Sequence, residues 1–145
     1  VWIGGQTFNG VTEQGKELPH LLKKLPPNVH FPGIFAYEDM PAIQNAADVF
    51  FFPSFQENAP MGPLEAASVS LPLVLRDLIE YKALYKENYL AGHTHDDFHK
   101  LLRKLAHDKS FYREASQNSH KLASHFSFAT RSKQLLTYYN SLLKK

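Results

Sequence analysis

The feature that most constrains how this 145-residue chain can fold is an alternation of two hydrophobic periods. Short, largely apolar runs at residues 1–4, 29–31, 49–52 and 71–75 have the length and content of strands. Between them, residues 14–25, 38–47 and 60–69 place apolar side chains every three or four positions, as a helix requires. Pro26-Pro27 and Pro32-Gly33 punctuate the sequence where one period gives way to the other. A strand with no polar alternation is one covered on both faces, so residues 49–52 are expected to be fully buried. Repeated strand–helix–strand units predict a parallel sheet with helices on both faces. Beyond Leu90 only helical spacing continues, over residues 94–107, 110–124 and 130–143. The expectation is an α/β fold, a Rossmann-like parallel sheet followed by C-terminal helices, with residues 1–145 as one domain.

Composition narrows the function classes. A content of 43% hydrophobic and 13% aromatic residues can build one good core. With no cysteine, disulfide scaffolds, thiolate chemistry and cysteine-ligated metals are excluded. A reducing compartment, the cytoplasm, is the expected location. The run at residues 49–52 is far shorter than the roughly 20 residues that span a bilayer. Val1-Trp2-Ile3 already reads as a strand, so the chain is expected to be a piece of a larger protein.

The net charge of +2 hides an asymmetry: residues 1–98 carry 6 Lys and Arg against 12 Asp and Glu, and residues 99–145 carry 10 against 2. A basic helical surface can meet nucleic acid, anionic lipid or an acidic neighbour, and its plainest reading is a solvated face. No basic groove interleaved with aromatics is present, so no nucleic-acid partner is expected.

In an open parallel sheet, ligands sit outside the carboxyl ends of the strands, where loops lead into helix N-termini. The turn from Pro53 to Gly62 is the most informative of these. Pro60 suits the first turn of a helix, and Asn58 is a candidate cap. The backbone amides of Met61 and Gly62 would then point out of a helix end that attracts phosphate. Glu57 lies in the turn, and Glu65 lies five residues beyond Pro60, about 7.5 Å along the helix. Two carboxylates bracketing a pyrophosphate site can each accept from hydroxyl groups, the layout of a sugar nucleotide with ribose on one side and hexose on the other.

These residues also carry a resemblance. The run from Ala47 to Glu57, continuing through Met61-Gly62-Pro63-Leu64-Glu65-Ala66-Ala67 to Leu71-Pro72-Leu73-Val74, resembles the E-x7-E region of retaining glycosyltransferase family 4. Val1–Gly5, Val29–Gly33 and Tyr37–Met40 support it. Residues 55–67, with Leu75–Leu78 and Tyr81-Lys82, are similar to the diacylglycerol glucosyltransferases of Gram-positive bacteria. The resemblance implies the C-terminal, donor-binding domain of a two-domain GT-B enzyme. It implies that Glu57 lies near the transferred hexose, as the catalytic candidate, and that Glu65 binds the ribose. Asn58, Ala59, Met61 and Gly62 would contact sugar and pyrophosphate. Gly5 and the loop Gly33–Tyr37, with Ile34 and Tyr37, would complete the donor site.

The resemblance further implies a UDP-sugar, UDP-glucose by preference, as the donor, with no metal and no other cofactor. A missing N-terminal acceptor domain would be the partner, with peripheral membrane contact in the full enzyme if the acceptor is a lipid. Asn58 and Pro60 stand where the family motif has glycine, and the family's pyrophosphate-neutralising basic residues would lie upstream of Val1. Arg76 is the one cation near the ligand edge, and solvation is its simplest role. His93, His95 and His99 read as solvated residues at a helix start rather than metal ligands. Tyr138-Tyr139 and Leu135-Leu136 read as packing residues. Two alternatives stand beside the transferase: a sugar-nucleotide epimerase of the same architecture, and a non-catalytic flavodoxin-like nucleotide-binding module.

Overall fold

The computed structural model describes residues 1–4, 20 and 22–143. The chain divides into two compact units, Val1–Met40 and Pro41–Lys145. In the first unit, the expected strands at residues 1–4 and 29–31 meet in parallel without forming regular strands. Trp2 N–H donates to the His30 carbonyl at 2.8 Å and Gly4 N–H to the Gly33 carbonyl at 2.9 Å, with one bridge between Ile3 and Gly33. The ladder is cut short because Pro32 has no N–H and Gly33 takes φ 93°, a left-handed value that glycine accepts without strain. A 3₁₀ turn follows at Tyr37–Asp39. Most of the helix expected at 14–25 lies outside the described residues.

The second unit is built on a three-stranded parallel sheet in the order β1 (Phe50–Phe52), β2 (Leu73–Arg76), β3 (Leu90–Gly92). Its helices are α1 (Met40–Asn45, which starts at the last residue of the first unit), α2 (Met61–Ser68), α3 (Ile79–Tyr85), α4 (His95–His107), α5 (Lys109–His125) and α6 (Phe128–Leu143). Register sets Phe50, Phe51 and Phe52 opposite Leu73, Val74 and Leu75, and Val74 opposite Leu90.

Side-chain alternation along β2 shows why both faces need helices. Leu73 and Leu75 point into one cluster with Ala66 and Ala67 of α2, Tyr81 and Tyr85 of α3, and Leu122 of α5. Val74 points the other way, into a cluster with Phe98 and Leu105 of α4 and Ala115 of α5. Leu73, Val74 and Leu75 are essentially free of solvent. Burying each contributes about 1.5–3 kcal/mol. With its 17 residues, α5 runs about 25 Å, enough to supply Ala115 to one layer and Leu122 to the other.

Three expectations are corrected. β1 is not fully buried: it forms one edge of this sheet, and Phe51 is 44% exposed, resting edge-on against Phe98 at 5.2 Å. A strand, β3, and a helix, α3, occupy a stretch in which no element was expected after residue 75. Leu135, Leu136, Tyr138 and Tyr139 do not pack: no residue of α6 is buried, and these four are all exposed. The helix is held at its start, where the Arg131 guanidinium lies 4.1 Å over the Phe126 ring.

The three C-terminal helices begin and end close to expectation because their caps are written in the sequence. Thr94 and Asp97 form a reciprocal capping box at α4, and Asp108 accepts from Ser110 and Phe111 N–H at α5. Among the described residues, no helix is long and apolar enough to cross a membrane.

Candidate functional site

β1 ends at Phe52, and the chain turns through residues 53–60 into α2. Pro60 occupies the N-cap position with extended backbone, φ −66° and ψ 137°, and no side chain caps the helix. Asn58 is therefore not the cap, because the helix begins two residues later than such a cap requires. An α-helix ordinarily leaves four N–H groups at its start without an intrahelical acceptor. Here Pro60 and Pro63 have none to offer, so the first turn presents two amides, those of Met61 and Gly62. Gly62 allows α2 to sit close to the sheet: a Cβ there would lie 3.3 Å from the Phe50 ring.

Glu57, Asn58, Ala59, Met61, Gly62 and Glu65 all fall on this turn and helix start, flanking the two amides. Glu57 and Glu65 are half-buried, Asn58 and Ala59 are exposed, and Met61 is 62% exposed. Gly33, Ile34 and Tyr37 belong to the first unit, where Ile34 and Tyr37 are exposed. Gly5 lies outside the described residues.

The turn is supported from below by α3. Tyr85 Oη donates to the Pro60 carbonyl at 3.0 Å. Tyr81, one helical turn earlier, stacks on Tyr85 with ring centroids 5.4 Å apart and planes 21° off parallel. Tyr81 is fully buried, and its hydroxyl finds no partner among the described residues. Burial and, secondarily, the nearby Glu57 charge raise the pKa of both phenols, that of Tyr85 to about 12.

The other strand ends are tied together. Arg76 Nε donates to the Pro53 carbonyl at 3.0 Å and its Nη1 to the His93 carbonyl at 2.9 Å, while the guanidinium lies 3.8 Å over the Phe55 ring. Arg76 is thus not a solvated cation: it is a clasp joining the ends of β1 and β3. Asp77 pairs with Lys82 Nζ and with His93 Nε2, each at 2.7 Å. The Lys82 hydrogen bond, reinforced by the charges of Lys82 and His93, holds the Asp77 carboxyl below the usual range against the opposing effect of burial. His93 is solvent-exposed, as its sequence context suggested, and its ring also pairs with Asp77; among the described residues no group of three or more His, Asp or Glu is arranged to hold a metal ion.

Sequence reasoning missed Arg76, Asp77, Tyr81 and Tyr85 as builders of this edge. The two tyrosines left a signal, since a spacing of four on one helix places both rings on one face. A shallow depression of about 530 Å³, lined by Asp48, Lys109, Tyr112 and Arg113 among others, lies beside the amino-terminal end of β1, at the opposite end of that strand from the turn.

The family model for glycosyl transferases group 1 matches residues 1–122. The chain belongs to the glycosyl transferases group 1 family. Within that family it is 41% identical over 91 residues to an alpha-galactosylglucosyldiacylglycerol synthase of Streptococcus pneumoniae (strain ATCC BAA-255 / R6), covering 63% of this chain and 24% of the relative. It is 32% identical over 128 residues to a processive diacylglycerol alpha-glucosyltransferase of Acholeplasma laidlawii, covering 85% of this chain and 37% of the relative. This group 1 chain thus spans well under half the length of these relatives. The family match covers the whole β1–α2 turn, and the names of both relatives agree with the resemblance to diacylglycerol glucosyltransferases.

Proposed function

We propose that this chain is the donor-binding half of an enzyme that transfers a hexose from a nucleotide sugar, UDP-glucose by preference, to an acceptor with retention of anomeric configuration. The observation that carries the reading is the start of α2, where prolines on either side reduce the presented donors to the Met61 and Gly62 amides, bracketed by Glu57 and Glu65. Those amides and the helix dipole would take the diphosphate, and Glu65 would accept from the ribose hydroxyls. Asn58 and Ala59 would line the sugar side. Glu57 would stabilise positive charge developing on the hexose as the diphosphate departs, the electrostatic role that dominates such transfers, with no metal required. Gly33, Ile34 and Tyr37 are proposed to hold the nucleobase, and Gly5 is proposed as a further donor-binding residue.

The acceptor is proposed to be diacylglycerol or a glycolipid, the compounds that the relatives' names specify. It would be bound by an N-terminal domain of the same protein. The exposed apolar side of α6 supports a partner of that kind. A lipid acceptor would place the enzyme at the cytoplasmic face of the membrane, with the basic C-terminal region near anionic headgroups.

A thermal-shift screen of the chain against UDP, GDP, ADP and their glucose conjugates tests the reading. Uridine nucleotides should raise the melting temperature most. Indifference to every nucleotide would refute it.

A further inference from the structure

Glu57 sits on a turn with no side-chain cap of its own, between a strand end and a helix that starts on a proline. Such a turn needs an outside support if a carboxylate on it is to hold one position. Two observations supply that support. Tyr85 Oη occupies the carbonyl of Pro60, three residues beyond Glu57. Tyr81, stacked on Tyr85 and fully buried, carries a hydroxyl with no partner among the described residues.

An unpaired buried hydroxyl costs stability, and a phenylalanine would fill the same space without that cost. The ring alone therefore does not account for a tyrosine at position 81. Glu57 lies three residues before the latched Pro60 and is the one carboxylate among the described residues whose charge acts on both phenols. Aromatic packing with Tyr89 and Phe126 keeps the pair from tilting away.

We propose that Tyr81 and Tyr85 are positioning residues of the candidate donor site: Tyr85 latches the turn through Pro60, and Tyr81 supplies the hydrogen-bond donor that fixes the Glu57 carboxylate when a donor sugar is bound. This rests on the donor-site reading. It goes beyond it by assigning the geometry of Glu57 to a helix that contributes no residue to the E-x7-E motif. Neither tyrosine touches the sugar; both act through the turn.

The test uses the whole chain with Tyr85→Phe and Tyr81→Phe, substitutions that keep both rings. In the free protein, amide hydrogen exchange at Leu64–Ala66, the first intrahelically bonded amides after the turn, should speed up in Tyr85→Phe while exchange at Leu73–Leu75 stays unchanged. Its affinity for UDP-glucose by calorimetry should fall about tenfold, the equivalent of one hydrogen bond. Tyr81→Phe should leave the melting temperature of the free chain unchanged or raise it, yet lower affinity for UDP-glucose several-fold while affinity for UDP holds. A purely structural role moves the melting temperature and leaves the ratio of the two affinities alone. Unchanged exchange at Leu64–Ala66 in Tyr85→Phe, or an unchanged affinity ratio in Tyr81→Phe, overturns the proposal. If the unaltered chain binds neither nucleotide, the donor reading and the Tyr81 role built on it both fall, and the exchange measurement still decides the Tyr85 latch.

Discussion

His93 Nε2 lies 2.7 Å from Asp77 Oδ2, joining the residue that follows β3 to the residue that follows β2. Because Lys82 holds the other oxygen of the same carboxylate, one side chain anchors two strand ends and α3. The carboxyl edge of the sheet, where the β1–α2 turn sits, is braced by these contacts.

The Asp77 pairing has a pH signature. Its carboxyl is held below the ordinary 3.8, chiefly by the Lys82 hydrogen bond. A depressed carboxylate contributes stability that is fully present above the unfolded value and is lost as pH falls through the folded one. Asp77→Asn should therefore melt below the parent at pH 7, and the gap should close as pH drops below 3.8. Melting curves at stepped pH check this; a gap that stays constant down to pH ~2 would contradict it.

Arg76 reaches carbonyls on two different loops through two different nitrogens. Lysine offers a single ammonium and cannot span both. Arg76→Lys should lose most of what Arg76→Ala loses, about 2 kcal/mol in urea denaturation, on the scale of charged hydrogen bonds that are partly exposed. Recovery of parental stability by lysine would mean that charge, not geometry, matters.

Gly92 closes β3 directly beneath Phe98. A methyl group there would lie 2.7 Å from two ring carbons of a buried phenylalanine, so the ring or the strand must move. Gly92→Ala should cost about 1–3 kcal/mol, the usual penalty of overpacking. The double substitution Gly92→Ala/Phe98→Leu should recover part of that loss in the same melt.

Much of this architecture was legible in the chain, and the reasons are local. Leu73-Val74-Leu75 is apolar at every position because helices cover both faces, so the sequence pattern and the packing state the same fact. The starts of α4 and α5 were legible from helical spacing, and the caps Thr94 with Asp97, and Asp108, fix them locally. The turn from Pro53 to Gly62 was legible because prolines and a glycine mark where a strand gives way to a helix.

What stayed hidden depends on distance along the chain. β3 is three residues long and has no pattern of its own; it exists through pairing with β2. Arg76 bonds to backbone carbonyls 23 and 17 residues away, and a carbonyl has no sequence signature. Phe51 looked buried because a continuous apolar run does not distinguish a central strand from an edge strand covered by one large neighbour. Asn58 read as the cap and Pro60 as a residue of the first turn, whereas the extended backbone of Pro60 makes it the N-cap.

Calorimetry of UDP binding to the chain and to Glu65→Ala and Glu57→Gln tests the donor site most directly. Glu65→Ala removes the carboxylate proposed to accept from the two ribose hydroxyls and should weaken binding by about 10- to 100-fold, equivalent to about 1.5–3 kcal/mol. Glu57→Gln should leave UDP binding within about twofold and instead reduce the additional affinity gained from the glucose of UDP-glucose. UDP binding that is indifferent to Glu65→Ala would contradict the assignment of the E-x7-E turn as the nucleotide site.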